Sequence, residues 1–303
     1  MKRIPIILFF LVLAPAASAQ RSIDEVLRQV ENASRELEAQ RQLTAAQKQD
    51  AATGKYMANP TVEMEKMWGA AGAGQNTELA VVQTIDFPTV YGSRNRIAKL
   101  KGSLYEKQWE SQRQQLLLQA KQLCIEIVYL YRQRDLLDER LSNAERLSEA
   151  YRRKMETGDA TSLEANKIAV ESISAHTAAD LNRAELQAKI QQLNTMTGDS
   201  DDSFEDVTYP PVETLPPADV LSEAYMSGNP LLESMENTLE IDRRTVALNR
   251  GLSLPQFEIG YRHDYGEGRA TGFKVGMSVP LFENKNKVKA AKAAAVSSQA
   301  QLE

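Results

Sequence analysis

The sequence predicts a mainly α-helical protein whose helices are interrupted by two widely separated β-hairpins. A duplicated pattern predicts the hairpins. Residues 59–98 and 254–290 each alternate apolar and polar residues after a Pro, turn through a Gly-rich stretch and alternate again. Each copy then passes a Pro beside a Phe (Phe87-Pro88, Pro280-Leu281-Phe282) into a basic helical start. Pro60 matches Pro255 and Pro88 matches Pro280 at an offset of about 192–195 residues, so the chain holds two copies of one design. A Gly- and Pro-free run over 103–156, then a break at Thr157-Gly158-Asp159-Ala160, predicts a long antiparallel helical hairpin.

Residues 1–20 read as a secretory signal. Lys2 and Arg3 form its charged start, 6–13 its apolar run and Ala17-Ser18-Ala19 its cleavage site. No Cys follows that site, so a lipid anchor is not expected there. The apolar run is far short of the ~20 residues a spanning helix needs. An exported chain of this kind can enter a membrane only as β-strands. The formal charge is −5 and becomes about −7 without the signal. This balance argues against nucleic-acid binding, which needs a concentrated basic face. Cys124 is alone and lies in the apolar run LCIEIV, where it reads as a small core residue.

The first helix is expected over 22–57, with Ser22 as N-cap and Glu25 three residues on. Asn59-Pro60 ends it. The long helix carries the seam Leu116, Ala120, Leu123, Ile127, Leu130, Arg134, Leu137, Leu141, Ala144, Ser148, Tyr151, Met155, spaced four and three throughout. A second stripe (Leu117, Cys124, Val128, Tyr131) widens its buried face, as in a helix with neighbours on both sides. Gly158 supplies a left-handed C-cap, and the return helix over 161–197 carries a small seam of Ala165, Ala169, Ala175, Ala178, Ala179, Ala184 and Ala188. An acidic, Pro-rich linker follows over 198–217. Helices over 218–227 and 230–250 lead to the second strand pair, and a last helix starts near Asn284. The domains are therefore a signal (1–20), a first repeat (21–197, with its β-hairpin at 60–88 and long helical hairpin at 92–197), the linker (198–217) and an incomplete second repeat (218–303, β-hairpin at 255–281).

The strands alternate at a period of two. Val62, Met64 and Trp68 share a face, as do Phe257, Ile259, Tyr261 and Tyr265, and Phe273, Val275, Met277 and Val279. These are expected to face lipid. Glu63, Glu65, Glu258, Arg262, Asp264 and Lys274 lie on the opposite faces and are expected to line a water-filled lumen. In the second strand Leu79, Val81, Ile85 and Phe87 alternate with Ala80, Val82, Thr84 and Asp86. Four strands cannot close a membrane barrel, whose minimum is ~8, and open edges are not tolerated in lipid, so such a chain must oligomerise.

No catalytic residues, metal ligands or cofactor site are visible, and the protein is not expected to be an enzyme. His176 and His263 are the only histidines and read as surface or barrel-lining groups. GAAGAG at 69–74 lies between strands and reads as a hairpin loop rather than a dinucleotide fingerprint. Met57, Met64 and Met67 read as lipid-facing or packing residues.

The order of these elements resembles the TolC-type outer-membrane efflux family. The matching stretches are Asn59-Pro60, TIDFPTVYGSRNRIA, RRKMETGDATSLEANKIAV and LPQFEIGYR…VGMSVPLFENKNKVKAAKA. The resemblance implies a homotrimer in the outer membrane with a periplasmic extension. Each chain would give four strands to a shared 12-stranded barrel and its long helices to an α-barrel. It also implies a periplasmic adaptor protein and an inner-membrane pump as partners. The adaptor would meet the tip formed by Thr157, Gly158, Asp159, Ala160, Thr161, Ser162, Leu163 and Glu164. The family repeats the long hairpin after the second strand pair. By the ~192-residue offset Glu303 corresponds to Ser111, so this chain is expected to be a truncated product lacking roughly 90 or more residues. The alternative is a periplasmic coiled-coil adaptor or structural protein, which leaves the aromatic outward faces of two separated hairpins unexplained.

Overall fold

In the computed structural model, which describes residues 22–68, 75–198, 209, 214–266, 269–280 and 282–303, the first helix begins where its capping pattern places it. Ser22 is extended, and its side chain accepts from the Glu25 N–H of α1 (Ile23–Ala33). The predicted signal, the loop 69–74, most of the linker and Leu281 lie outside the described residues. The chain divides into two units, one made of residues 1–35 and 116–213, the other of 36–115 and 214–303.

The first unit is a helical hairpin. Its arms are the distal part of α3 (Pro88–Thr157) and α4 (Ser162–Thr197). The predicted α3 seam is buried from Leu116 through Ala120, Ile127, Leu130 and Leu141 to Ala144, and the second stripe at Cys124, Val128 and Tyr131 is buried with it. Leu141 and Ala144 pack with Ala175 and Ala179, with Leu137 against them. Burial pushes the Cys124 thiol up to about 11, as suits an inert core residue. The α4 seam differs from the predicted run of alanines. It continues through Asn182, Leu186, Ile190 and Leu193, while Ala184 and Ala188 face solvent. The reason is period: steps of three and four from Ala175 and Ala179 lead to Asn182 and not to Ala184. Asn182 is buried and donates to the Leu130 carbonyl at 3.4 Å and to Gln133 Oε1 at 3.1 Å. Exposed pairs also tie the arms: Arg183–Asp138 at 2.6 Å, Lys189–Glu126 at 2.7 Å and His176–Glu145 at 2.9 Å. α1 packs against α4 and buries Val26 and Val30.

The single predicted helix over 22–57 is two helices, α1 and α2 (Arg35–Thr53). Ser34 is extended (ψ 115°) and buried, and it interrupts the helical backbone. The long helix is longer than its Gly-free run. It begins at Pro88, where a proline's missing N–H is harmless, and passes through Gly92 and Gly102 to reach 70 residues.

The second unit holds one antiparallel sheet in the order β1-β2-β3-β4. β1 (Thr61–Trp68) and β2 (Gln75–Ile85) form one hairpin, and β3 (Gln256–Asp264) and β4 (Thr271–Ser278) the other. The hairpins join through β2 and β3, with Val81 opposite Tyr261. Gly260 is required at that join: a Cβ there would sit 2.8 Å from the Val81 carbonyl oxygen. α5 (Ala218–Gly228) and α6 (Pro230–Gly251) match the predicted pair. The last helix, α7 (Lys287–Leu302), starts later than Asn284 because Asn286 is left-handed (φ 67°). α7 packs on α6, with Ser298 donating to Asp242 at 2.5 Å.

Candidate functional site: a two-faced sheet and an exposed hairpin tip

Strand pairing carries the side-chain parity of one strand into the next, because directly opposed residues share a face. The register runs Val62–Val81–Tyr261–Phe273, then Met64–Leu79–His263–Thr271. Val62, Met64, Trp68, Phe257, Ile259, Tyr261, Phe273, Val275 and Met277 therefore all stand on one face, as predicted. Val279 follows the end of β4. Among the described residues nothing covers this face: Met64 is 74% exposed, Trp68 71%, Phe273 87% and Val275 78%. Tyr261 and Phe273 meet edge-on at 6.0 Å. At the loop end of the sheet the face turns amphipathic. Lys66 lies 5.7 Å over Trp68, and His263 meets Tyr265 edge-on at 4.3 Å. His263 thus stands on the apolar face.

The opposite face carries Glu63, Glu65, Glu258, Arg262, Asp264 and Lys274. It also carries Glu78, which the sequence reading passed over although its even number places it beside Ala80. Arg262 pairs with Glu78 at 2.8 Å, and Lys274 lies 4.0 Å from Glu258. Asp264 accepts from Asn76 at 3.1 Å and from the Gly266 N–H at 2.9 Å. Met67 falls on this polar face, so of its two expected roles, lipid-facing or packing, the first does not fit. The face is wettable and predominantly acidic, and Ala80, Gly260, Gly272 and Gly276 leave room beneath the long side chains.

The corner where β2 enters α3 is a site that sequence reasoning missed. Asp86 binds Arg94 at 2.7 Å and accepts from Gln256 at 2.8 Å, while its own N–H donates to the Tyr91 hydroxyl at 2.9 Å. It thereby ties both hairpins to the start of α3. Its only sequence signal was the run TIDFPTVYGSR.

The tip is a short, closed turn at the end of the first unit. Gly158 is left-handed (φ +81°), as predicted. The Asp159 N–H donates to the Lys154 carbonyl at 2.7 Å, and the Thr157 hydroxyl binds the Asp159 carboxylate at 2.8 Å. Thr161 caps α4 in a capping box: Glu164 N–H to Thr161 Oγ1 at 3.3 Å, and Thr161 N–H to Glu164 Oε2 at 2.9 Å. The Thr161 N–H holds the Glu164 carboxyl below its usual range. Glu164 is thus engaged in capping, whereas Ser162 and Leu163 are exposed, Leu163 at 63%. Just before the tip, Arg152 and Arg153 clamp Glu149 at 2.8 and 2.9 Å and lower its carboxyl to about 2. Among the described residues no group of three or more His, Cys, Asp or Glu is placed to hold a metal, and no helix is long and apolar enough to cross a membrane.

This combination of a four-stranded sheet from two separated hairpins with a long helical hairpin is the fold of TolC-type outer-membrane channels. The chain is similar to the CmeC outer membrane channel of Campylobacter jejuni (TM-score 0.73, 15% identity, covering 92% of this chain and 66% of that one). It is also similar to the outer membrane protein VceC of Vibrio cholerae (TM-score 0.71, 12% identity, 92% and 74% covered). A third is CusC, whose crystal structures concern conformational changes accompanying folding and transmembrane channel formation (TM-score 0.69, 14% identity, 92% and 71% covered). The chain thus spans 66% to 74% of the length of these channels. No protein-family model and no curated protein matches the sequence.

Proposed function

We propose that this chain is the outer-membrane channel component of a tripartite efflux system, giving substrates passive passage from a periplasmic adaptor and inner-membrane pump to the exterior. The observation that carries the proposal is the uncovered apolar face of the sheet, built from two hairpins nearly two hundred residues apart and backed by an acidic, polar face. In water such a face would have to be buried; in a bilayer it meets acyl chains while the polar face meets a water-filled lumen. Among the described residues both outer strands have unpaired edges, which lipid does not tolerate. Three copies would close twelve strands. The helical hairpin supports the same reading, because each arm has exposed apolar residues besides its seam: Leu118, Tyr129 and Leu136 on α3, and Val170, Ile173 and Leu181 on α4. These suit neighbouring hairpins in an α-barrel. The exposed tip around Ser162 and Leu163 would meet the adaptor.

Membrane fractionation tests the proposal. The protein should sediment with outer membranes and require detergent for release. Recovery from the soluble periplasm without detergent would contradict it.

A further inference from the structure

The sheet ends in two open edges, β1 and β4, and each strand has eight residues. Resting on the shared-barrel reading above, we propose that β4 of one chain pairs with β1 of a second copy in one definite register, Val275 opposite the partner's Met64 and Lys274 opposite the partner's Glu65.

The register follows from the stagger within one chain once β4 and the neighbouring β1 are set to start level at the helix-bearing end. The row Val62–Val81–Tyr261–Phe273 crosses all four strands at right angles. Val62 is the second residue of β1 counted from the helix-bearing end of the sheet, and Phe273 is the sixth of β4 counted from that same end. The row therefore climbs by four residues, from second to sixth, across one chain. Identical copies closing into a ring must start each β1 at the same level. With Ser278 of β4 set level with Thr61 of the neighbouring β1, Phe273 meets the sixth residue of that β1, which is Lys66. This holds for any number of copies.

Three features select this setting. First, β1 and β4 overlap end to end, Thr61 against Ser278 and Trp68 against Thr271, so neither strand leaves an unpaired stub. Secondly, only even-numbered residues of β1 can face Phe273 without setting apolar side chains against the lumen. Among these, the chosen register places the Lys274 ammonium directly across from the Glu65 carboxylate; the register two residues lower offers Glu63 instead and is separated from it by strand tilt. Lys274 already lies 4.0 Å from Glu258 within its own chain and would bridge both acids. Thirdly, four residues of climb over four strands, at ~3.4 Å rise and ~4.8 Å spacing, give a strand tilt of about 35°. That lies within the roughly 35–45° of membrane barrels. Two residues fewer give about 20°, far too upright. Two more give about 47°, and set Lys274 against Met67.

Cysteine pairs decide the register, because directly opposed antiparallel residues are ~4.5–5.5 Å apart at Cα, within disulfide reach. In a Cys124→Ala background, Val275→Cys is combined with Val62→Cys, Met64→Cys or Lys66→Cys and oxidised in outer-membrane preparations. The expected result is a covalent ladder, ending at the closed ring, for the Met64→Cys combination, at least tenfold above the other two. A ladder led by Val62→Cys or Lys66→Cys overturns the register while leaving the shared barrel standing. No ladder from any combination overturns both. Charge reversal adds a second reading: Lys274→Glu should reduce assembly and Glu65→Lys should restore it. Failure of rescue where Glu63→Lys succeeds also overturns the register.

Discussion

Val275→Arg tests the face assignment most sharply. Val275 lies opposite Ile259, with Phe273 and Met277 on either side along its face, and its side chain is 78% exposed in the isolated chain. In water, arginine at so open a position would be nearly neutral. In a barrel the same position sits within the apolar band, where Arg near the midplane costs about 2–4 kcal/mol. That corresponds to a roughly 30- to 700-fold change in the folded ratio. The neighbouring Lys274 is the internal control. Lys274→Gln removes only exposed ion pairs, each worth about 0–1 kcal/mol, and introduces nothing into hydrocarbon. Urea titration of lipid-reconstituted protein, followed by loss of the trimer band, measures both variants. Equal effects of the two substitutions, or a neutral Val275→Arg, would refute the assignment of faces.

Other variants test the remaining elements. Gly260→Ala should destabilise the sheet by about 1–3 kcal/mol because its Cβ meets the Val81 carbonyl at 2.8 Å. Gly272→Ala, with open space at its Cβ, should show far less in the same titration. Gly158→Val forces a branched residue into a left-handed turn, and Leu163→Asp removes the exposed apolar side chain. Either should abolish pump-dependent export of the system's substrate while trimers remain in the membrane; normal export by both would leave the tip a mere turn. Glu149 is held at about 2 by Arg152 and Arg153. A carboxyl lowered in the fold stabilises it above the unfolded value of ~4.3 and loses that contribution as pH falls toward 2. Amide protection near residues 149–156, taken relative to the intrinsic exchange rate, should therefore fall over that window in the wild type, and Glu149→Gln should abolish the dependence.

Much of this was legible because both periodic patterns are local. Val62, Met64 and Trp68 alternate with Glu63 and Glu65 whatever pairs with them, and the α3 seam follows from spacing alone. Gly158 announced its own left-handed turn. What the sequence withheld depends on distant contacts. Pairing of Val81 with Tyr261 joins segments far apart in the chain, and neither hairpin contains the instruction. The need for glycine at 260 appears only once that pairing exists. Asp86 looked like one polar residue of an alternating strand, whereas its partners Arg94 and Gln256 lie on two other elements. The alanines of α4 misled because Ala184 and Ala188 are good helix formers on any face. The break at Ser34 lacks Gly or Pro, the usual marks. Glu164 matched a recognition pattern but is occupied as a capping residue.

The central claim is that the two faces of this sheet meet lipid and lumen water. Nitroxide labels placed singly at residues 273–278 of β4, in reconstituted membranes, test it most directly through collisional relaxation by oxygen and by a water-soluble nickel chelate. The account predicts strict alternation: oxygen dominates at 273, 275 and 277, and the nickel chelate at 274, 276 and 278. Nickel access at all six positions would place the sheet in water and contradict the account.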